Sequence, residues 1–461
     1  MDPGGAVIGT GNGAVTGALT CVRGGRLRKL ALLLGAAALL GAATVRKPVR
    51  PRPRAAPANA LVNAQALAPF FDALERLAQP GADQPVRVLQ FGDSHTAADF
   101  WSGRVRARLQ ARFGDGGPGW ILPARPWRGY PHDGVHLLSG LKWPAQCLRS
   151  PDCDGLVGLT GAAIVPVAGE EFQLEARWRA ARVVLLAAGD DQVTARLAPA
   201  GDDGQDPPAV QLPRLAVEPI QGGLQLETFG VDGLDGDPVQ RLSLALPEGS
   251  RLLGVDLSSG RPGVVYDELG LNGAELLDLE RWQPDLRSRL LAQVRPSLVV
   301  LAYGTNDMGM SAAARADYPE QVRGLLAEFK RASSAPVLVV GPLDRLGRSR
   351  RQRPALKDGA AWEIATLRQA CLDADCAFWD AREAMGGYGS LLKWRRAGLA
   401  QRDMVHLDGP GYQRLGDLLS DALLKAMDDR RKPAAAPAPE PSPMPAPAHR
   451  AHRRHRLVRP W

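Results

Sequence analysis

The sequence predicts a three-layer α/β fold with a short parallel sheet, interrupted by an inserted all-β, sandwich-like domain. Three continuous apolar runs, VRVLQF (86–91), SLVVLAY (297–303) and APVLVVGP (335–342), have the composition of strands buried on both faces. Helix-like segments such as 319–333 separate the later runs, and this alternation indicates parallel strands. Residues 155–263 instead carry short alternating runs between Gly, Pro and Asp turns, which favours antiparallel strands.

The first sixty residues contain a topology signal. The stretch RGGRLRK (23–29) supplies four basic residues, and LALLLGAAALLGAATV (30–45) follows with no charge at all. A charged flank before an apolar core predicts a signal anchor, with a cleaved export signal as the alternative. We therefore expect 1–29 in the cytoplasm, 30–45 in the inner membrane and 46–60 as a Pro/Arg linker. The protein would be a single-pass protein of the cell membrane, with its folded body in the periplasm or outside the cell.

Four of the five cysteines form two close pairs, Cys147 with Cys153 and Cys371 with Cys376. An even number of paired cysteines favours two small-loop disulfides and an oxidising compartment. Free buried thiols are the alternative, and a zinc site fits poorly because the usual ligand spacing is missing. The orientation of the predicted anchor depends on this assignment, since basic residues flank the apolar core on both sides.

The formal charge of +8 is unevenly distributed along the chain. Residues 1–60 carry a net +8 and residues 431–461 a net +6, so the residues between them carry about −6. We expect an acidic body that does not bind nucleic acid. The segment 431–461 is rich in Pro and Ala and is predicted to be a disordered basic tail.

The α/β part is predicted in two pieces, 61–154 and 264–430. The segment 60–79 has helical periodicity and opens the folded part, and the buried strand 86–91 follows it. That strand runs directly into Gly-Asp-Ser-His, and the segment 99–114 then reads as a helix closed by a glycine. A serine at the end of a buried strand is either a turn residue or a nucleophile.

A serine hydroxyl becomes a nucleophile only when a base accepts its proton. Three of the seven histidines lie in the C-terminal tail, which leaves His95, His132, His136 and His406. The side chain of His95 would point away from its neighbour Ser94 on a strand-to-helix turn, and we expect it to make a structural hydrogen bond, with a substrate contact as the alternative.

His406 lies in the segment DMVH, three residues after Asp403. An Asp-x-x-His arrangement on one compact turn can direct the carboxylate at the imidazole of the same segment. The pair then needs only a serine from another part of the sheet.

Four motifs in this order resemble those of the SGNH/GDSL hydrolases. They are Gly92-Asp93-Ser94 after the first strand, Gly273 in VVYDELGLNGA (264–274), Gly304-Thr305-Asn306-Asp307 after a later strand, and Asp403-Met404-Val405-His406. The resemblance covers roughly 61–145 and 264–430. The residue after the first motif is usually Leu in this family and is His95 here.

The resemblance implies a role for each matching residue. Ser94 would be the nucleophile, His406 the general base and Asp403 the residue that orients it. The oxyanion hole would consist of the backbone N–H groups of Ser94 and Gly273 and the side-chain amide of Asn306. This chemistry requires no metal and no organic cofactor.

The predicted export and the inserted β domain make the arrangement similar to that of bacterial peptidoglycan O-acetylesterases. The resemblance implies an acetylated glycan as substrate and removal of its O-acetyl groups as the reaction. A polysaccharide O-acetyltransferase with the same triad is an alternative, and so is a non-catalytic glycan-binding protein. The inserted domain would either bind glycan or cover the site.

Two further assignments stay open in the sequence. Gly270 competes with Gly273 for the second motif because it lies only three residues earlier. The loop at 114–130 carries Trp120, Trp127 and Tyr130, which either contact carbohydrate or pack in the ordinary way.

Overall fold

The computed structural model describes residues 59–431 apart from 128–129, 131, 140–142, 190–191, 202–206, 221, 237 and 347–358. The predicted segments 1–29 and 30–45, nearly all of the linker 46–60 and the tail after its first residue lie outside the described residues. Among the residues that are described, no helix has the length and apolarity needed to cross a bilayer.

The structure contains eight α-helices within its described residues. They are α1 (Ala68–Leu77), α2 (Phe100–Phe113), α3 (Pro284–Val294), α4 (Ala312–Ser333), α5 (Gly359–Asp373), α6 (Ala381–Ala384), α7 (Ser390–Arg396) and α8 (Gly409–Arg430). The strands in the same part of the chain are β1 (Leu61–Val62), β2 (Val86–Gly92), β3 (Gly119–Ile121), β4 (Val135–Leu137), β5 (Ala145–Cys147), β6 (Ala162–Ile164), β7 (Phe172–Arg177), β8 (Ala180–Ala187), β9 (Thr194–Pro199), β10 (Val210–Gln211), β11 (Arg214–Pro219), β12 (Gln225–Asp232), β13 (Val239–Ala245), β14 (Arg251–Ser258), β15 (Val264–Gly270), β16 (Leu298–Ala302), β17 (Val337–Val340) and β18 (Ala377–Trp379).

The three predicted buried strands are β2, β16 and β17, and they lie in one six-stranded sheet of order β1-β18-β17-β16-β2-β15. All neighbouring pairs are parallel except β1 with β18. Successive side chains alternate between two cores: Val88 packs with α1, α2 and α8, whereas Leu89 packs with α3, α4 and α5. The sheet is therefore covered by helices on both faces, which confirms the three-layer α/β prediction.

Helices α2 and α8 pack closely, and this contact positions the loops that precede them. Gly416 in α8 faces the backbone of Trp101, where an added Cβ would lie 2.7 Å from the carbonyl oxygen. Arg104 donates to Asp417 at 2.7 Å across the same contact. Because α2 follows Ser94 and α8 follows His406, the packing of the two helices brings the two predicted site residues to one edge of the sheet.

Two antiparallel sheets lie in the chain between α2 and β15. One has the order β10-β9-β13-β7-β4, and the other has the order β11-β12-β8-β14-β6-β5, with β3 paired to β14. Strands β3, β4 and β5 precede residue 155, so the antiparallel pairing begins at Gly119, ahead of the segment 155–263 that carries the alternating pattern. Each of these three strands has only three residues, which is too short for alternation to be recognised.

A buried ion-pair network joins the parallel sheet to the antiparallel one. Arg87 in β2 donates to Asp267 in β15 at 2.7 Å and to Asp256 in β14 at 2.6 Å. Burial lowers the pKa of Arg87, but the two carboxylates outweigh it and the net shift is upward. Removing one partner from such a network costs about 3–5 kcal/mol because a buried charge is left unpaired.

The four cysteines from 147 to 376 are free thiols in the structure, so the prediction of two disulfides does not hold there. The sulfur of Cys371 donates to the carbonyl of Ala377 at 3.0 Å, and that of Cys147 lies 3.4 Å from the Ser150 hydroxyl. The Cys371 and Cys376 side chains also interact with each other as thiols, so the two sulfurs lie close together without a bond between them.

Candidate active site

The turn after β2 presents Ser94 at the carboxyl edge of the parallel sheet. Asp93 closes this turn, since its carbonyl accepts from the backbone N–H groups of Thr96 and Ala97, and its carboxylate accepts from His95 N at 2.9 Å. Gly92 is required because a Cβ there would lie 2.1 Å from the Thr96 hydroxyl and 2.9 Å from the Ala302 carbonyl. The glycine is needed for space rather than for an unusual backbone angle.

Asp93 is buried beneath this turn. Burial raises its pKa to about 7, although the hydrogen bond from His95 N acts in the opposite direction. The Asp93 carboxyl group is therefore a buried structural group beneath the turn that carries Ser94.

Asp403 and His406 occupy one closed turn, as their spacing predicts. The Nδ1 atom of His406 lies 2.6 Å from Asp403 Oδ2, and Asp403 Oδ1 accepts from the backbone N–H groups of Val405 and His406. Met404, between them, has a φ of 63°, a left-handed conformation that is uncommon outside glycine. Burial acts to raise the pKa of Asp403, but the bonds from His406 and the backbone outweigh it and the net shift is downward.

The structure brings Ser94 and His406 together across 312 positions of sequence. The Ser94 hydroxyl lies 2.9 Å from His406 Nε2. Together with the bond to Asp403, this gives a continuous path from hydroxyl through imidazole to carboxylate. Each distance is within hydrogen-bond range, and the three side chains are only half-buried, so the site is open to a ligand.

His95 does not take part in this path. Its Nδ1 lies 2.9 Å from the hydroxyl of Tyr412 in α8, and its ring centroid lies 5.2 Å from that of His406. Burial, together with the nearby His406, lowers the pKa of His95 to about 3. His95 is therefore a neutral structural residue, which agrees with the expectation that it makes a structural hydrogen bond.

Gly273 and Asn306 follow the two strands that neighbour β2, the strand leading to Ser94. The sheet order places β15 and β16 on either side of β2, and Gly273 and Asn306 come after the ends of those strands. Asn306 Nδ2 donates to the Ala274 carbonyl at 2.9 Å, which leaves a second N–H on the same nitrogen. The strand order thus brings both residues to the edge of the sheet that carries Ser94.

The structure separates Gly273 from its competitor Gly270. Gly273 has a φ of 74° and is half-exposed in the turn beside Ala274, whereas Gly270 ends β15 in the buried sheet. A Cβ on Gly270 would lie 2.2 Å from the backbone nitrogen of Ala97. Gly270 therefore permits close packing behind the turn that carries Ser94, whereas Gly273 lies in a less buried turn beside Ala274, whose carbonyl accepts from Asn306.

Asp307, the last residue of the third motif, holds the loop behind Asn306. Its carboxylate accepts from Leu276 N at 3.0 Å and from the Tyr318 hydroxyl at 2.9 Å. Burial raises the pKa of Asp307, although the Leu276 N–H lowers it. The bond from Leu276 N connects the loop after β16 to the segment after β15, and the bond from Tyr318 connects the same loop to α4.

The other candidate groups lie elsewhere. His132 is buried with its Nδ1 3.9 Å from Asp99, and His136 on β4 faces Glu175 at 3.7 Å. Trp120 and Tyr130 are buried. Trp127 packs edge-on against Tyr130, with ring centroids 5.4 Å apart, so these rings pack in the ordinary way.

Sequence reasoning did not find Tyr412, Arg149 or Arg345. Arg149 lies about 4 Å from the position of a Cβ on Gly273 and donates to Asp278 at 3.3 Å. Arg345 donates to the Thr305 carbonyl from a loop after β17. The signal for Tyr412 was present, because it lies six residues after His406 at the start of the predicted helix; the two arginines had no sequence signal.

Comparison with known proteins adds family information to this geometry. The GDSL-like lipase/acylhydrolase family matches residues 241–414. A solved peptidoglycan O-acetylesterase is 26% identical, with a TM-score of 0.65, and the match covers 80% of this chain and 99% of that one. A comparison with curated proteins finds no match.

Two solved carbohydrate esterases of family 2 are more distant. One, from Corynascus thermopiles (Myceliophthora fergusii), includes a carbohydrate-binding domain; it is 11% identical with a TM-score of 0.29, and 62% of this chain and 99% of that one are covered. The other, from Clostridium thermocellum, is 12% identical with a TM-score of 0.26 and the same coverage. The parallel sheet, the order of the motifs and the family match lead to one conclusion: the chain contains a GDSL-like lipase/acylhydrolase domain with the SGNH/GDSL hydrolase fold.

Proposed function

We propose that this protein is a serine esterase that removes O-acetyl groups from a cell-envelope glycan such as peptidoglycan. The observation that carries the proposal is the hydrogen-bonded path from Ser94 through His406 to Asp403, with distances of 2.9 Å and 2.6 Å. A hydroxyl, an imidazole and a carboxylate in this order are the groups needed for acyl transfer from an ester.

In the first half of the reaction, Ser94 Oγ attacks the acetyl carbonyl carbon while His406 Nε2 takes the hydroxyl proton. Asp403 stabilises the resulting imidazolium. The former carbonyl oxygen becomes negative and is stabilised by the N–H groups of Ser94, Gly273 and Asn306, each worth about 3–4 kcal/mol. His406 then returns its proton to the sugar oxygen, the C–O bond breaks, and the glycan alcohol leaves an acetyl group on Ser94.

In the second half, His406 removes a proton from a water molecule that attacks the acetyl-serine. The second tetrahedral intermediate is stabilised by the same donors. The bond to Ser94 Oγ breaks, the serine regains its proton from His406, and acetate is released. Ser94 is half-buried and accessible to water, the acceptor that hydrolysis requires.

The proposed substrate is supported by the similarity to a peptidoglycan O-acetylesterase, which extends over nearly all of that chain. We propose further that the two antiparallel sheets form an inserted β domain beside the hydrolase domain. The predicted anchor at 30–45 would hold the protein in the cell membrane with this body on the outer side. Protease protection of the body in intact cells, with loss of that protection after the outer barrier is opened, tests the location.

Acetate release from O-acetylated peptidoglycan tests the activity. We expect release by the full-length protein and loss of release by Ser94→Ala and His406→Ala. His136→Ala is the matched control, because His136 is exposed and faces Glu175 rather than the site. Cleavage of long-chain esters without acetate release from the glycan would contradict the substrate. Passage of the acetyl group to an added alcohol in place of water would indicate an acetyltransferase.

A further inference from the structure

A cavity of about 490 Å³ lies at the amino edge of the parallel sheet, opposite the edge that carries Ser94. Its walls include the starts of β2 and β15, strands β8 and β14 of the antiparallel sheet, and the end of α3. From Arg87 at this edge to Gly92 at the other, β2 spans about 16 Å. The cavity is therefore separate from the site described above.

The cavity has an excess of positive charge. Four guanidinium groups and two carboxylates line it, and one of those carboxylates, Asp256, is already paired with Arg87. Arg182 on β8 and Arg295 at the end of α3 are exposed, and neither has a carboxylate partner within the described part of the chain. Two unpaired guanidinium groups on one cavity can bind a carboxylate through charge-assisted hydrogen bonds.

Two side chains that line the cavity have buried polar atoms without partners. Gln293 in α3 donates to Thr228 at 2.7 Å, and its Oε1 is buried without a hydrogen-bond donor. The Nε1 of Trp120 is also buried and unpaired. Because neither atom is accessible from the cavity, the groups available to a ligand are the exposed guanidinium groups of Arg182 and Arg295.

We propose that this cavity is a second binding site for the glycan, one that recognises a sugar carrying a carboxylate. Arg182 and Arg295 would bind the carboxylate through charge-assisted hydrogen bonds. The floor is rigid because Arg87, Asp256 and Asp267 are already held in a buried ion-pair network. The inference builds on the proposed function, since a polymer bound at both edges of the sheet would be held near Ser94 with a raised effective concentration.

Binding is measured by calorimetric titration of the full-length Ser94→Ala protein, which does not turn over the ester. The probes are N-acetylmuramic acid, its uncharged methyl ester and inorganic phosphate. We expect the acid to bind about tenfold more tightly than the methyl ester, and the double variant Arg182→Ala/Arg295→Ala on the same background to bind the acid at least tenfold more weakly. Arg396→Ala is the control, because Arg396 is an exposed arginine on α7 outside the cavity.

Equal binding of the acid and its methyl ester would overturn the proposal, as would a double variant that binds like the Ser94→Ala protein. Phosphate binding as tight as that of the acid would identify a general anion site and would overturn the assignment to a sugar. The two arginine substitutions on the enzyme with Ser94 intact should raise KM for acetylated peptidoglycan and leave kcat/KM for a small soluble acetyl ester unchanged. Failure of the proposed function is distinguishable, because acetate release and calorimetric binding are separate readouts.

Discussion

The hydroxyl of Tyr412 lies 2.9 Å from His95 Nδ1, and this bond keeps the histidine next to the nucleophile in a structural position. His95 is adjacent to Ser94 in sequence, yet the imidazole that reaches the Ser94 hydroxyl belongs to His406. Nearness in sequence is thus a poor guide to the base at this turn, because consecutive side chains point in different directions.

Tyr412→Phe tests this relationship. The substitution leaves Nδ1 of a buried histidine without its partner, so we expect the free energy of unfolding to fall by about 1–3 kcal/mol. Because His95 does not accept the serine proton, kcat should stay within a few-fold of the wild-type value. Urea denaturation and ester hydrolysis measure the two quantities. A hundredfold loss of kcat at unchanged stability would mean that His95 has a direct part in the reaction.

Asp403→Asn separates the charge of Asp403 from its place in the turn. Asparagine keeps an oxygen that can accept from Val405 N and His406 N, but it loses the carboxylate beside His406 Nδ1. We expect kcat to fall by about 10⁴-fold with little change in the thermal midpoint. Asp403→Ala should lose both activity and stability. An asparagine variant within tenfold of wild-type activity would refute the assigned role.

Asn306 provides the test of the oxyanion site. Asn306→Ala removes the side-chain donors next to Ala274, and kcat should fall by about 10²- to 10³-fold with KM little changed. Asn306→Asp has nearly the same shape but replaces the donors with a negative charge, so its loss should be larger still. Steady-state kinetics on a small acetyl ester give both values, and equal activity of the wild type and the alanine variant would exclude the residue from the site.

Gly92→Ala tests whether the turn that carries Ser94 has room for a side chain at position 92. The added Cβ would lie 2.1 Å from the Thr96 hydroxyl, so either the turn or the side chain must shift, and we expect about 1–3 kcal/mol of destabilisation with loss of activity. Gly324→Ala is the matched control, since an added Cβ in that exposed part of α4 meets nothing within 4 Å. It should stabilise the protein by about 0.5–1 kcal/mol. Thermal unfolding of both variants measures the contrast.

Asp93 predicts a pH dependence of stability. Its pKa is raised from 3.8 to about 7 in the folded protein, mainly by burial, so the folded state holds a proton that the unfolded state loses above pH 4. The stability this group contributes is present below about pH 4 and is lost as the pH rises towards 7. Asp93→Asn has no such proton, so the stability of the wild type relative to this variant should decline across that interval. A difference that stays constant between pH 4 and 7 would contradict the raised pKa.

The parts of the site that sequence could predict are those carried by short local motifs. Ser94 comes just after the end of a strand with no polar alternation, and Asp403 lies on the same turn as His406. Each of these two motifs can therefore be recognised without knowledge of the rest of the fold. The order of the strands could not be read, but parallel strands end at one edge, and this is enough to expect Gly273 and Asn306 near Ser94.

What could not be predicted depends on contacts between distant segments. Three such contacts join elements that only the folded chain brings together. They are the hydrogen bond between Tyr412 and His95, the packing of Gly270 on Ala97, and the position of Arg149 beside Gly273. The strands β3 to β5 were missed because three residues cannot show a period of two. The close spacing of the cysteines indicates that their side chains lie near each other, but it does not determine whether the sulfurs are bonded, and the structure has them as thiols.

The hydroxyl of Ser94 and the imidazole of His406 meet across 312 positions, and this separation has a consequence for the protein during its synthesis. A ribosome makes Ser94 early and His406 late, so a nascent chain that has not yet reached His406 has a serine without its imidazole partner. A truncated or proteolytically shortened product ending before that residue would lack the pair as well. Under the proposed function, hydrolytic activity in a preparation would therefore report molecules completed at least as far as His406, whereas an antibody against the first strand and turn would count unfinished ones as well.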